Sequence, residues 1–189
     1  MRRLFFILAI VISGAVAAAP VEYEIDPGHT YPSFEADHMG VSIWRGKFNK
    51  NSGKVMLDKE TGQGNVEVTI DLDSVDFGLP AMNSWARGEN FFDTAKFPTA
   101  TYVGKLTGFV AGAPTMVTGQ LSLHGITRAL NLQINSFKCI PHPLHKRELC
   151  GADATAAFNR DNFGLDTGKA FGFRMDVTLR IQVEAVALK

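Results

Sequence analysis

The stretch FRMDVTLRIQVE, residues 173–184, carries the plainest pattern in the chain. Phe173, Met175, Val177, Leu179, Ile181 and Val183 share one parity, and Arg174, Asp176, Thr178, Arg180, Gln182 and Glu184 the other. Side chains of an extended strand alternate between its two faces, so this segment is a long strand with one apolar and one wet face. So long a strand needs partners on both edges, because an open edge presents a row of unpaired N–H and C=O groups.

The preceding sequence supplies such partners. Val66, Val68, Ile70 and Leu72 alternate with Glu67, Thr69 and Asp71. Ala100, Tyr102, Gly104 and Leu106 stand opposite Thr99, Thr101 and Lys105, and Val117, Gly119, Leu121 and Leu123 opposite Thr118, Gln120 and Ser122. Leu130, Leu132 and Ile134 alternate with Asn131, Gln133 and Asn135. Extended segments are also expected over 31–38, 42–49, 54–58 and 152–159, which makes about nine strands. Turn residues at 51–53, 61–64, 112–114 and 124–125 separate these runs. Short connections imply antiparallel neighbours, and closure into a barrel removes the edges. The expected fold is therefore all-β, an extended antiparallel barrel. One stretch lacks alternation, PAMNSWARGENFFD at 80–93. It predicts a short helix near 83–92 across one barrel end, weakened by Gly88.

The first residues have a different character. Arg2 and Arg3 precede an apolar run from Leu4 to Ile12, followed by small residues from Ser13 to Ala19. That order is the layout of a secretory signal peptide, assigned to residues 1–19. Cleavage is expected after Ala17 or Ala19, with Ala17 slightly preferred because Pro20 follows Ala19 directly. The apolar run is too short for a bilayer, which takes ~20 apolar residues. Export to a bacterial periplasm follows, with one domain over 20–189 and no integral membrane segment left after the cut. Without Arg2 and Arg3 the chain holds 17 Lys and Arg against 19 Asp and Glu, a formal −2. The basic field of a nucleic-acid binder is absent. Fourteen phenylalanines in so small a domain permit an apolar cavity as well as a core.

CIPHPLHKRELC, residues 139–150, contains both cysteines. Its Cys-x2-His-x2-His-x4-Cys spacing offers enough ligands for a metal, but two cysteines in an exported chain are usually oxidised to a disulfide. The disulfide is preferred over a metal site or free thiols. Alternation carried forward puts Cys139 outward and Cys150 inward, so a bulge is required, with Gly151 the expected place. Among the other histidines, His29 follows a turn, His124 lies in a turn, and His38 ends an inward-facing row near Phe34 and Ala36. No HExxH or GxSxG pattern selects a catalytic set.

Four segments carry a resemblance. DPGHTYPSFEADHMGVSIWRGKF (26–48), ENFFDTAKFPTATYVG (89–104), VTGQLSLHGITRALNLQI (117–134) and CGADATAAFNRDNFGLD (150–166) are similar, in order, to the YceI-like family of exported bacterial proteins. The resemblance implies a lipocalin-like barrel whose pore takes a polyisoprenoid, isoprenoid quinone or fatty-acid derivative. It also implies that Cys139 and Cys150 clasp a hairpin. It transfers no catalytic residue. Arg160, in the family's Arg-x-x-Phe-Gly pattern, is expected to be structural, pairing with a carboxylate.

Facing parity and resemblance together give the expected site. Phe34, Tyr102, Leu121, Phe158, Phe173 and Met175 are expected to line the pore, Trp85 and Phe92 to stand at its mouth, and His38 to meet a polar headgroup. Small inward residues, Ala36, Ala100, Gly104, Gly119, Ala154 and Ala156, are expected to leave room. The expected function is non-enzymatic carriage or sequestration of an isoprenoid-type lipid, without metal or cofactor and with a homodimer left open. The alternatives are a lipid- or quinone-modifying enzyme using His38 or Glu35, and a filled barrel serving as a stress-related partner-binding protein.

Overall fold

The computed structural model describes residues 19–188, and all of the expected signal peptide except Ala19 lies outside the described residues. The strands are β1 (Val21–Ile25), β2 (Tyr31–His38), β3 (Ser42–Phe48), β4 (Asn51–Asp58), β5 (Gln63–Asp71), β6 (Val75–Asp76), β7 (Thr99–Thr107), β8 (Met116–Leu123), β9 (Ile126–Ala129), β10 (Leu132–Pro141), β11 (Glu148–Asn159) and β12 (Asp176–Ala187), with helix α1 at Pro80–Arg87. All pairings between them are antiparallel.

The long final strand explains the closure. One edge of β12 pairs with β11 from Asn159↔Asp176 to Leu149↔Val186. Its other edge takes β2 along 177–182 and then β1 along 185–187. β1 and β2 thus act as one bent strand, and β3 and β4, which pair with β2 and β1, as the next. The circuit continues through β5, β7, β8, β10 and β11 back to β12, giving eight staves. Small barrels of this strand number have an interior wide enough for side chains or one ligand.

Three local expectations change. β12 begins at Asp176, not Phe173, because the backbone N–H of Phe173 turns back to the Gly168 carbonyl at 3.3 Å and that of Arg174 goes to the Asp37 carboxylate at 3.1 Å. Helix α1 spans Pro80–Arg87 instead of 83–92. Proline is tolerated in the first turn, where its missing N–H has no partner to lose, and Gly88 ends the helix. Residues 51–53 form no turn but open β4. Gly53 is required there by close approach, since a Cβ would lie 2.2 Å from the Glu67 carbonyl oxygen.

The hairpin of β10 and β11 resolves the cysteine parity. Register runs Ile134↔Ala154 and then Ser136↔Asp153, so Asn135 is the extra residue. The bulge is therefore at Asn135 and not at Gly151, which pairs regularly with Lys138. One inserted residue turns every later side chain of β10 to the opposite face. Cys139 then stands directly across from Cys150, their Cα atoms 4.0 Å apart and their sulfurs bonded.

Candidate functional site

The inward parity of the strands encloses a cavity along the barrel axis. Val66, Val68 and Ile70 of β5 and Val177, Leu179, Ile181 and Val183 of β12 form two of its walls. Its volume is about 230 Å³. From Val177 to Ala185, both of which line it, it follows eight residue steps of one strand. At ~3.4 Å per residue that is roughly 27 Å of strand length. The walls are carbon almost throughout, which suits a chain transferred from water by apolar burial alone.

The polar side chains of the lining are nearly all engaged with the protein. The Tyr102 hydroxyl donates to the Leu130 carbonyl at 2.9 Å, and burial pushes its pKa up to about 12. The Thr30 hydroxyl donates to the Glu184 carbonyl at 3.2 Å and accepts the N–H of the same residue at 3.1 Å. Tyr23, almost fully buried, donates to the Glu148 carboxylate, which also holds Lys59 at 2.6 Å. Burial first, and then the neighbouring carboxylate, raises the Tyr23 pKa.

The two ends differ. At the clasp end, Tyr23, Ile25, Leu57, Cys150 and Ala185 pack together. At the helix end, Phe91 and Phe92 follow α1, with ring centroids 4.7 Å apart, and Phe92 meets Phe48 at 5.7 Å. Arg160 reaches the same end, its guanidinium 5.7 Å from the Phe91 ring centre. Among the described residues it pairs with no carboxylate. Its guanidinium donates to the carbonyls of Leu165 and, at 2.8 Å, Thr167. The Thr167 hydroxyl in turn donates to the Asn90 carbonyl, tying the loop after β11 to the segment after α1.

Phe34, Phe92, Tyr102, Leu121 and Phe158 all line this cavity. Four other residues expected at the site do not. Trp85 lies outside on Phe91, centroids 4.9 Å apart, and is 42% exposed. His38 stacks on Trp44 at 4.1 Å, with Phe173 edge-on at 5.0 Å, so both are spent on a cluster beyond the rim. Met175 is buried but precedes the first regular residue of β12 and misses the wall. Alternation could not place Phe173 or Met175, because the strand starts after them. Glu35 faces outward between Arg45 and Arg180, at 3.0 Å from each, and these cations hold its pKa down.

The small residues divide likewise. Ala36, Ala100 and Ala154 line the cavity. Gly119 instead receives the Tyr102 ring, since a Cβ there would lie 2.5 Å from the Tyr102 hydroxyl oxygen, and Gly104 receives Val117. Tyr23 and Ile25 are lining residues not foreseen. The alternation in VEYEI (21–25) could have revealed both, but the run is short and lies close to the expected signal peptide. Among the described residues, Cys139, Glu148 and Cys150 form the one cluster of three metal-capable side chains, and its two sulfurs are joined to each other.

Comparison with known proteins agrees with this architecture. A family described as YceI-like domain matches residues 23–185. A UPF0312 protein of Shewanella denitrificans is 30% identical over 129 residues, covering 68% of each chain. A UPF0312 protein of Shewanella putrefaciens is 28% identical over 95% of each. Burkholderia cenocepacia BcnA superposes with a TM-score of 0.66 at 21% identity, over 85% of this chain and 98% of that one. A polyisoprenoid binding domain from Saccharophagus degradans, implicated in plant cell wall breakdown, gives a TM-score of 0.62 at 19% identity, over 88% and 99%.

Proposed function

This chain belongs to the YceI-like family, and from that premise we propose that it carries or sequesters a long apolar lipid in its barrel, in the periplasm, without catalysing a reaction. The observation that carries this reading is the elongated, carbon-walled cavity enclosed by the closed barrel. A ligand held mainly by apolar burial needs length more than polar contacts, and an isoprenoid-type chain has that length. The polyisoprenoid-binding description of a structural neighbour supports the same ligand class. Among the described residues no helix is long and apolar enough to cross a membrane.

The two other readings have less support. An enzyme using His38 or Glu35 would need those groups at the ligand, and both lie outside the cavity. A barrel filled with side chains would have no such space. Mass spectrometry of organic extracts from purified protein is the test. The expected result is a co-purifying isoprenoid-type lipid, or uptake of one by extracted protein. Folded protein that neither carries nor takes up any lipid would overturn the proposal.

A further inference from the structure

Hydrogen-bond accounting along the cavity singles out one side chain. The lining hydroxyls of Tyr23, Thr30 and Tyr102 have already given their protons to Glu148 and to the carbonyls of Glu184 and Leu130. Ser33 donates to the Tyr31 carbonyl at 3.4 Å. Arg160 is different. A guanidinium has five N–H donors, and only two are used, on the carbonyls of Leu165 and Thr167.

Its charge is also unanswered. Arg160 is 6% exposed and, among the described residues, the only basic one that is buried. Four other arginines meet carboxylates, Arg45 and Arg180 sharing Glu35, Arg87 meeting Asp73 and Arg174 meeting Asp37, while the exposed Arg128 and half-buried Arg147 do not. Among the described residues no carboxylate lies within salt-bridge distance of Arg160. Asp161 is held by Lys169, and Asp161 and Asp166 act on Arg160 only at longer range. A buried guanidinium keeps its proton, so the unanswered charge stays in place.

Resting on the lipid-carrier reading, we infer that Arg160 holds an anionic oxygen headgroup, carboxylate or phosphate, of a single-chain amphiphile whose tail runs toward the clasp. The fork of a guanidinium matches either group. The far end supports this polarity, because it offers no free donor: the Tyr23 hydroxyl there is already given to Glu148.

Extracted, refolded full-length protein is titrated with hexadecanoic acid, hexadecyl phosphate and hexadecanol at neutral pH. At least one anionic probe binds about tenfold or more tightly than the alcohol, the scale of a charged hydrogen bond. The better of the two identifies the head as carboxylate or phosphate. Arg160→Gln loses the preference and keeps the alcohol affinity, while Arg160→Lys keeps part of it. Should Arg160→Gln fail to fold, because Arg160 also braces the loop after β11, the wild-type ratio decides alone. Equal wild-type affinity for acid, phosphate and alcohol overturns the headgroup assignment and leaves the lipid reading standing. Binding of none of the three overturns both.

Discussion

Tyr102 shows how one side chain serves two surfaces. Its ring lies over Gly119 and forms cavity wall, while its hydroxyl crosses to the Leu130 carbonyl just before β10. Tyr102→Phe leaves that carbonyl buried without its side-chain donor, and a loss of about 1–3 kcal/mol is expected in chemical denaturation. An unchanged midpoint would contradict the role assigned to the hydroxyl. Asp37 acts in another way. It accepts the backbone N–H of Arg174 first, then that of Gly40, and the Arg174 guanidinium, and these bonds hold its pKa below the ordinary carboxylate value. A depressed folded pKa gives stability that is full above the unfolded value, about 3.9, and lost as pH falls through the folded one. Protection factors over residues 168–175, taken relative to the intrinsic exchange rate at each pH, are therefore expected to fall below about pH 4. Asp37→Asn should show the low protection factors already at pH 7, and wild-type protection factors that do not change with pH would refute the clamp.

The clasp and the seam beside it set the behaviour of the elements. The disulfide closes a short loop, with a sequence separation of 11. Cys139→Ser with Cys150→Ser is expected to cost about 2–3 kcal/mol, read as a lower denaturation midpoint with the strand spectrum retained. On the other edge of β10, pairing with β8 covers only Leu132↔Val117 and Gln133↔Met116. Flanking bonds from Leu130 to Gly119 and from Ile134 to Thr115, each 2.9 Å, extend it slightly. Backbone amides at this seam should exchange faster than those between β11 and β12; equal protection would refute a weak seam. The alternation of β5, β7, β8 and β12 was legible in sequence because period two survives wherever pairing is regular. It failed at Asn135 and at Phe173–Met175, where a bulge and a hydrogen-bonded turn reset the parity. Neither leaves a compositional mark. Phe34, Tyr102, Leu121 and Phe158 were legible as wall for the same reason, whereas Arg160 was not, since its reach depends on loop carbonyls that no periodicity predicts.

For the whole molecule, the cavity couples occupancy to stability. A ligand that binds the native barrel alone raises stability with its concentration, by about 2.7 kcal/mol at a hundred times Kd. Extraction of bound lipid should therefore lower the melting temperature, and adding it back should restore it. Ala154 points into the cavity and is buried. Ala154→Phe is expected to reduce the lipid recovered per mole while the protein stays folded, at an overpacking cost of about 1–3 kcal/mol. Full lipid recovery from that variant would place the ligand elsewhere. The order of the staves has a consequence in time. β1 and β12 close the barrel by joining Tyr23 to Ala187, nearly the full chain apart. Contacts of such long range form slowly and only once both partners exist. A nascent chain still lacking β12 leaves the facing edges of β11, β1 and β2 without their partner, so the wall stays open until that strand emerges: the container is sealed by the piece made last among its staves.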